Sequence, residues 1–198
     1  PNGWWYNVQI DYCHALISSL VIIAGDRNSC IVNATMEGIL NLTIIAVDLA
    51  GNTASDTVFI VYDITPPTGV ITEPPAGHLT NASFVIVKWT ANDALSGYYK
   101  TEIYLDDEYI GTVRGLEYNL TLSAEGVHNV LLKIYDWAGN YIVKSITITV
   151  DWTPPQLECW IFPRYPSIED TIHVVAYASD ENGIGRVILI LNNGSQYA

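Results

Sequence analysis

Apolar residues recur at every second position along several stretches of this chain. Val85, Val87, Trp89 and Ala91 share one face, with Lys88 and Thr90 on the other. Val130, Leu132 and Ile134 alternate in the same way with Lys133 and Tyr135, and Ile146, Ile148 and Val150 with Thr147 and Thr149. Period-two alternation places the first set of each pair in a core and the second toward solvent. Extended over residues 68–151, it predicts strands at 70–72, 83–92, 99–105, 108–111, 116–122, 127–136 and 145–150. Seven short strands in roughly 85 residues, no helical periodicity and a turn about every ten residues read as a β-sandwich. Before this stretch, strands are expected at 4–11, 16–24, 29–35, 39–48 and 57–62; after it, at 186–191.

The pattern repeats. Asp136-Trp137-Ala138-Gly139-Asn140, a strand, and Thr153-Pro154-Pro155 echo Asp48-Leu49-Ala50-Gly51-Asn52, a strand, and Thr65-Pro66-Pro67, at a spacing of 88 residues. Glu37-Gly38 returns at the same spacing as Glu125-Gly126. A fixed period marks a tandem array. Asp, Gly and Asn supply the side-chain hydrogen bonds and the positive φ that a tight turn needs. Pro-Pro cannot donate to a ladder, so it ends the sheet and spaces the next unit. The expected division is 1–64 (an N-terminally incomplete copy), 65–152 (a complete one) and 153–198 (a C-terminally truncated one).

Composition narrows the function. A hydrophobic content of 49% and a mean hydropathy of +0.22 suit packed cores. A net charge of −13, with only 8 Lys and Arg, excludes nucleic acid, whose phosphates demand cations. Charged residues make up 15%, below the ~25% of ordinary soluble domains, which leaves a surface of Thr, Ser, Asn and Tyr as on many exported proteins. The opening Pro1-Asn2-Gly3-Trp4 lacks the basic and apolar regions of a signal peptide, and no apolar run is long enough for a membrane span. The expectation is a segment of a longer extracellular polypeptide. Cys13 and Cys30 either pair or serve as small buried residues. Cys159, at the position of Ile71 in the preceding copy, is expected buried and unpaired.

With Asp180-Glu181-Asn182-Gly183 before the strand at 186–191, the Asp-Trp-Ala-Gly-Asn turn and the Thr-Pro-Pro linkers, the chain resembles the bacterial and archaeal immunoglobulin-like repeats of cell-surface proteins. That resemblance implies all-β, tandem immunoglobulin-like or fibronectin-like sandwiches that act as spacer, stalk, adhesin arm or surface-layer block. It implies no chemistry. The function expected is thus a non-catalytic structural segment of a surface layer, stalk or extracellular filament. The alternatives are an adhesin or carbohydrate-binding arm, and accessory domains of an exported hydrolase.

Three sets of residues carry candidate roles. Asn33, Asn41, Asn81, Asn119 and Asn193 each open an N-x-Ser/Thr sequon, so N-linked glycans are expected partners of a secreted chain. Repetition together with glycosylation suggests an archaeal or eukaryotic surface. In the immunoglobulin topology, Asp93, Asp136 and Asn140 lie at the pole that meets the linker residue Asp63. Such a group either caps its own turns or holds Ca²⁺, which takes about six to eight oxygens. Asp180 and Asp151 correspond at the next junction. Lastly, Val21, Ile23, Ile45, Val47, Phe59 and Val61 either fall on outward positions of the first copy, where apolar side chains call for a covering subunit or domain, or, with the register slipped by one residue, face its core.

Enzyme signals do not appear. His14, His78, His128 and His173 are scattered without ligand spacing, and there is no nucleophile elbow or phosphate loop. Trp4, Trp5, Trp137, Trp152 and Trp160 either stack on sugars or wedge neighbouring domains together.

Overall fold

The computed structural model describes residues 20–24, 30–34, 37–47 and 50–190, with 20–24, 30–34 and 44–47 by backbone alone. Every regular element among them is a strand. β1 (Leu20–Ala24) and β2 (Cys30–Ala34) form one antiparallel hairpin, and β3 (Gly38–Val47) and β4 (Thr53–Tyr62) another. The expected strand at 4–11 lies outside the described residues.

Eight strands follow: β5 (Ile71–Glu73), β6 (His78–Thr80), β7 (Phe84–Trp89), β8 (Tyr98–Leu105), β9 (Glu108–Val113), β10 (Glu117–Thr121), β11 (Gly126–Asp136) and β12 (Tyr141–Val150). They make two sheets, β10-β7-β5 and β6-β12-β11-β8-β9. The alternating residues of both sheets meet in one core. Val85, Val87, Trp89 and Leu120 come from the smaller sheet, and Ile103, Val130, Leu132, Ile134, Ile148 and Val150 from the larger. Ala91 and Ile146 pack at its margin. This is a β-sandwich, and its faces follow the alternation read from the sequence.

The strand missing from that reading is β6. Pro74 and Pro75 interrupt the edge of the small sheet because neither has an N–H to donate. Beyond them the chain crosses to the other sheet, where β6 pairs in parallel with β12. Three residues show too little alternation to announce a strand. β12 also starts earlier than the expected 145, because Tyr141 pairs with Tyr135 as soon as the turn closes.

β13 (Gln156–Phe162) and β14 (His173–Ser179) form a last antiparallel pair with both faces exposed for most of its length. Cys159 on β13 is exposed and free, not buried as its alignment with Ile71 suggested. Ile71 is covered because it pairs with Trp89 and packs on the central core. Among the described residues, β13 has only β14 beside it. For the same reason 186–190 form no strand: the matching β8 is held between β11 and β9, and no such partners are described here.

Candidate cation site at the 63–68 junction

The turn joining β11 to β12 builds the first part of the site. Asp136 closes it with both carboxylate oxygens: Oδ1 accepts the Asn140 N–H at 2.8 Å and Oδ2 accepts its side-chain amide at 2.9 Å. Gly139, at φ +94°, supplies the left-handed residue that lets the chain reverse. The same Asn140 amide also donates to the carbonyl of Asp63 at 3.1 Å, which ties this turn to the linker.

The loop from β7 to β8 supplies the second part. The Asp93 Oδ1 accepts the backbone N–H groups of Leu95, Ser96 and Gly97 at 3.0, 2.8 and 2.8 Å, and the Ser96 hydroxyl at 3.4 Å. All four donors go to one oxygen, and Oδ2 has none among the described residues. The Trp137 N–H donates to the Gly97 carbonyl at 3.1 Å, so the loop and the turn are joined.

Asp63, immediately after β4, is the third part. Its Oδ1 accepts the Thr65 N–H at 3.0 Å and its Oδ2 the Ser96 N–H at 3.1 Å. Hydrogen bonding from Ser96 holds this carboxyl below its ordinary range, helped by Thr65 and opposed by burial. Ligand oxygens of Asp63, Asp93 and Asp136 all lie within 4.8 Å of one another. Asp63 and Asp136 are buried and Asp93 is half-buried. None of the three has a Lys, Arg or His ion-pair partner among the described residues. Each aspartate therefore caps its own turn, as one of the two sequence readings held, and the three carboxylates also converge. Like charges this close in a poorly hydrated place raise each other's energy, which a cation would relieve.

Sequence reasoning missed the fourth member of the junction. Glu37, one residue before β3, accepts the N–H groups of Ile64 and Thr65 on Oε1 at 3.3 and 3.1 Å, and the Thr65 hydroxyl on Oε2 at 2.8 Å. The linker is thus bonded on both sides, by Glu37 before it and by Asn140 and Ser96 after it. Eighty-eight residues on, Glu125 accepts the N–H groups of Trp152 and Thr153, both at 3.0 Å, and Asp151 accepts Thr153 again at 3.1 Å. The recurring Glu-Gly was visible in the sequence; its use as a linker clamp was not. At this second junction Asp151 Oδ2 accepts the Asn182 amide at 2.8 Å, while Asp180 caps the Asn182 N–H at 2.8 Å. Among the described residues, Asp63, Asp93 and Asp136 form the one group able to offer three such ligands.

The other candidates are dispersed. Asn41, Asn81 and Asn119 are exposed; of Asn33 the backbone alone is described, and Asn193 lies outside the described residues. Phe59 (69% exposed) and Val61 are exposed on β4, and so are Val58 and Ile60 on its other face, so no covered side of the strand defines an outward one among the described residues. Ile45 and Val47 on β3, and Val21 and Ile23 on β1, are described by backbone alone. Asn41 pairs across from Phe59, so a glycan on Asn41 and a protein contact over Phe59 exclude each other. Cys13 is outside the described residues, and Cys30 begins β2. Trp137 packs its ring on Tyr99 at 4.2 Å, with Arg114 above both rings. Trp152 sits in the second linker and Trp160 on β13, so they share no platform with Trp137; Trp4 and Trp5 are outside the described residues.

No family model matches the chain, and no curated protein is similar to it. Among solved structures it is similar to the fibronectin(III)-like modules of Clostridium thermocellum CbhA. The identity is 24%, over 65% of this chain and 72% of that one, with a TM-score of 0.44. No helix long and apolar enough to cross a membrane occurs among the described residues.

Proposed function

We propose that this chain is a non-catalytic structural segment of an extracellular, cell-surface protein, a stiff spacer of tandem immunoglobulin-like units in a surface layer, stalk or filament. The observation that carries this reading is the linker at 63–65, whose backbone is bonded by Glu37 on one side and by Asn140 on the other, while Ser96 holds the Asp63 carboxylate. A flexible tether has no need of such bonds. Pro66 and Pro67 stiffen the same stretch by restricting their own φ and the residue before them. Repeating the Glu clamp at 125 and 152–153 extends the stiffness along the chain.

On this reading Asp63, Asp93 and Asp136 hold Ca²⁺ at the joint, with the Asn140 amide still on the Asp63 carbonyl. Three carboxylates and nearby backbone carbonyls are ligands of the kind a hard cation takes at about 2.3–2.6 Å. The ion would add its own bonds across the linker and offset the unpaired negative charge. X-ray scattering from the intact chain tests the reading. A rod-like cross-section profile is expected in calcium, and a compact or freely jointed average would overturn it.

A further inference from the structure

We propose that Asn119 carries an N-linked glycan whose first sugars lie over Ile86 and Phe84 and close the open edge of β10. β10 is the outer strand of the three-stranded sheet, so one side of its backbone has no ladder partner among the described residues. The register places Asn119 directly across from Ile86 and Thr121 across from Phe84. Ile86 is 48% and Phe84 54% exposed, and Asn119 and Thr121 are exposed beside them. Leu120, between the two, is fully buried. Strand alternation therefore turns the acceptor amide and the hydroxyl that completes the sequon outward together, on the apolar face.

Open strand edges and exposed apolar pairs invite pairing with other chains, and proteins guard them with charges, proline or cover. The other end of this sheet has such a guard. Glu117 pairs across from Lys88, and Lys88 bridges Glu73 at 2.7 Å. The end with Phe84 and Ile86 has only Asn119 and Thr121. Side chains directly opposite in an antiparallel pair stand about 5 Å apart, close enough for the sugar attached to one to cover the other. A glycan is bulky, solubilising and unable to join a β-ladder.

The transfer needs a membrane enzyme and an oligosaccharide carried on a lipid phosphate. The Asn119 Nδ2 forms a bond to the anomeric carbon, the bond from that carbon to the phosphate oxygen breaks, the lipid phosphate leaves and the amide gives up one proton. The inference rests on the extracellular reading above, but it fails or holds at this one residue, whatever the stiffness of the array. The test is secretion of the full chain through a glycosylating eukaryotic pathway. Tryptic peptide 115–133 contains Asn119 and no other sequon. Loss of its unmodified mass is expected, with hydroxyl-radical oxidation of Phe84 about two-fold higher in Asn119→Gln than in the glycosylated parent. A bare Asn119, or equal oxidation of Phe84 in the two proteins, would overturn the proposal.

Discussion

Glu125 and Thr153 meet at 3.0 Å, carboxylate oxygen to backbone N–H, and Glu37 and Thr65 meet in the same way at 3.1 Å. In both cases the glutamate stands just before a long strand and the threonine opens a Thr-Pro-Pro linker. A residue at the head of a long strand is thus bonded to the segment that follows the next strand. The bond depends on charge, because an ionised carboxylate accepts more strongly than a neutral one.

The Glu125 clamp should weaken in acid. Hydrogen bonding from Thr153, and then from the Trp152 N–H, lowers this carboxyl from its ordinary value of 4.5. A depressed carboxyl contributes stability that is present above the unfolded-state value and lost as pH falls through the folded one. The Trp152 amide resonance should titrate with a midpoint below 4.5, and the shift should vanish in Glu125→Gln. A midpoint at or above the ordinary value would show that the bond is absent in solution.

His128 behaves in the opposite sense. It is buried, with Nδ1 against the Asp106 carboxylate at 2.7 Å and Nε2 against the Ala124 carbonyl at 3.0 Å. Two acceptors favour the doubly protonated ring, and Asp106 foremost raises its pKa above the ordinary 6.5. A raised group contributes stability that is complete below the unfolded value and lost as pH rises through the folded one. His128→Gln should therefore cost about 1–2 kcal/mol at pH 5, discounted for the half-exposed Asp106, and less at pH 9. Denaturant melts at the two pH values decide it; a cost that grows toward pH 9 would reverse the assignment.

Trp89 is 2% exposed, in the centre of the sandwich. Trp89→Ala should destabilise by about 3–5 kcal/mol. Trp89→Phe should lose much less, because the buried Nε1 has no partner among the described residues to give up. Gly69 approaches the Thr90 carbonyl so closely that a Cβ would overlap its oxygen and crowd Ile134 at 3.1 Å. Gly69→Ala should cost about 1–3 kcal/mol, by overpacking rather than by a void. Melts indistinguishable from the parent would mean that the strand entering the sandwich sits elsewhere.

Calcium should raise the melting temperature of the intact chain, and Asp93→Asn should abolish the rise. That substitution keeps the Oδ1 that caps Leu95, Ser96 and Gly97 and removes only charge. A ligand present at 100 times its Kd adds about 2.7 kcal/mol to the folded state. Scanning calorimetry in calcium and in chelator separates the outcomes, and identical transitions would leave the three carboxylates as turn caps alone.

Much of the central sandwich was legible because its strands are half-buried, and burial writes period two into the sequence. Val85, Val87 and Trp89, or Val130, Leu132 and Ile134, announce both strand and face. β6 carries no such pattern, since it is set by Pro74 and Pro75 ending one pairing and by β12 offering another. The junction was readable only in part. Asp93 and Asp136 lie in loops that the topology sends to one pole, and Asp63 enters there. Ser96 and Thr65 act on Asp63 through backbone N–H groups, which every residue but proline owns, and so leave no trace. Glu37 and Glu125 did leave a trace, as a repeated Glu-Gly, but the role depends on where the linker returns in space.

Whether the joint is rigid is tested most directly by residual dipolar couplings measured on the intact chain in calcium. Amides of β3 and β4 report on one side of the linker, and those of β11 and β12 on the other. The clamped linker predicts that one alignment tensor fits both sets, and that Glu37→Gln combined with Asn140→Ala splits them. Two tensors of different magnitude in the unmodified protein would contradict the account, since the units would then be turning independently about residues 63–68.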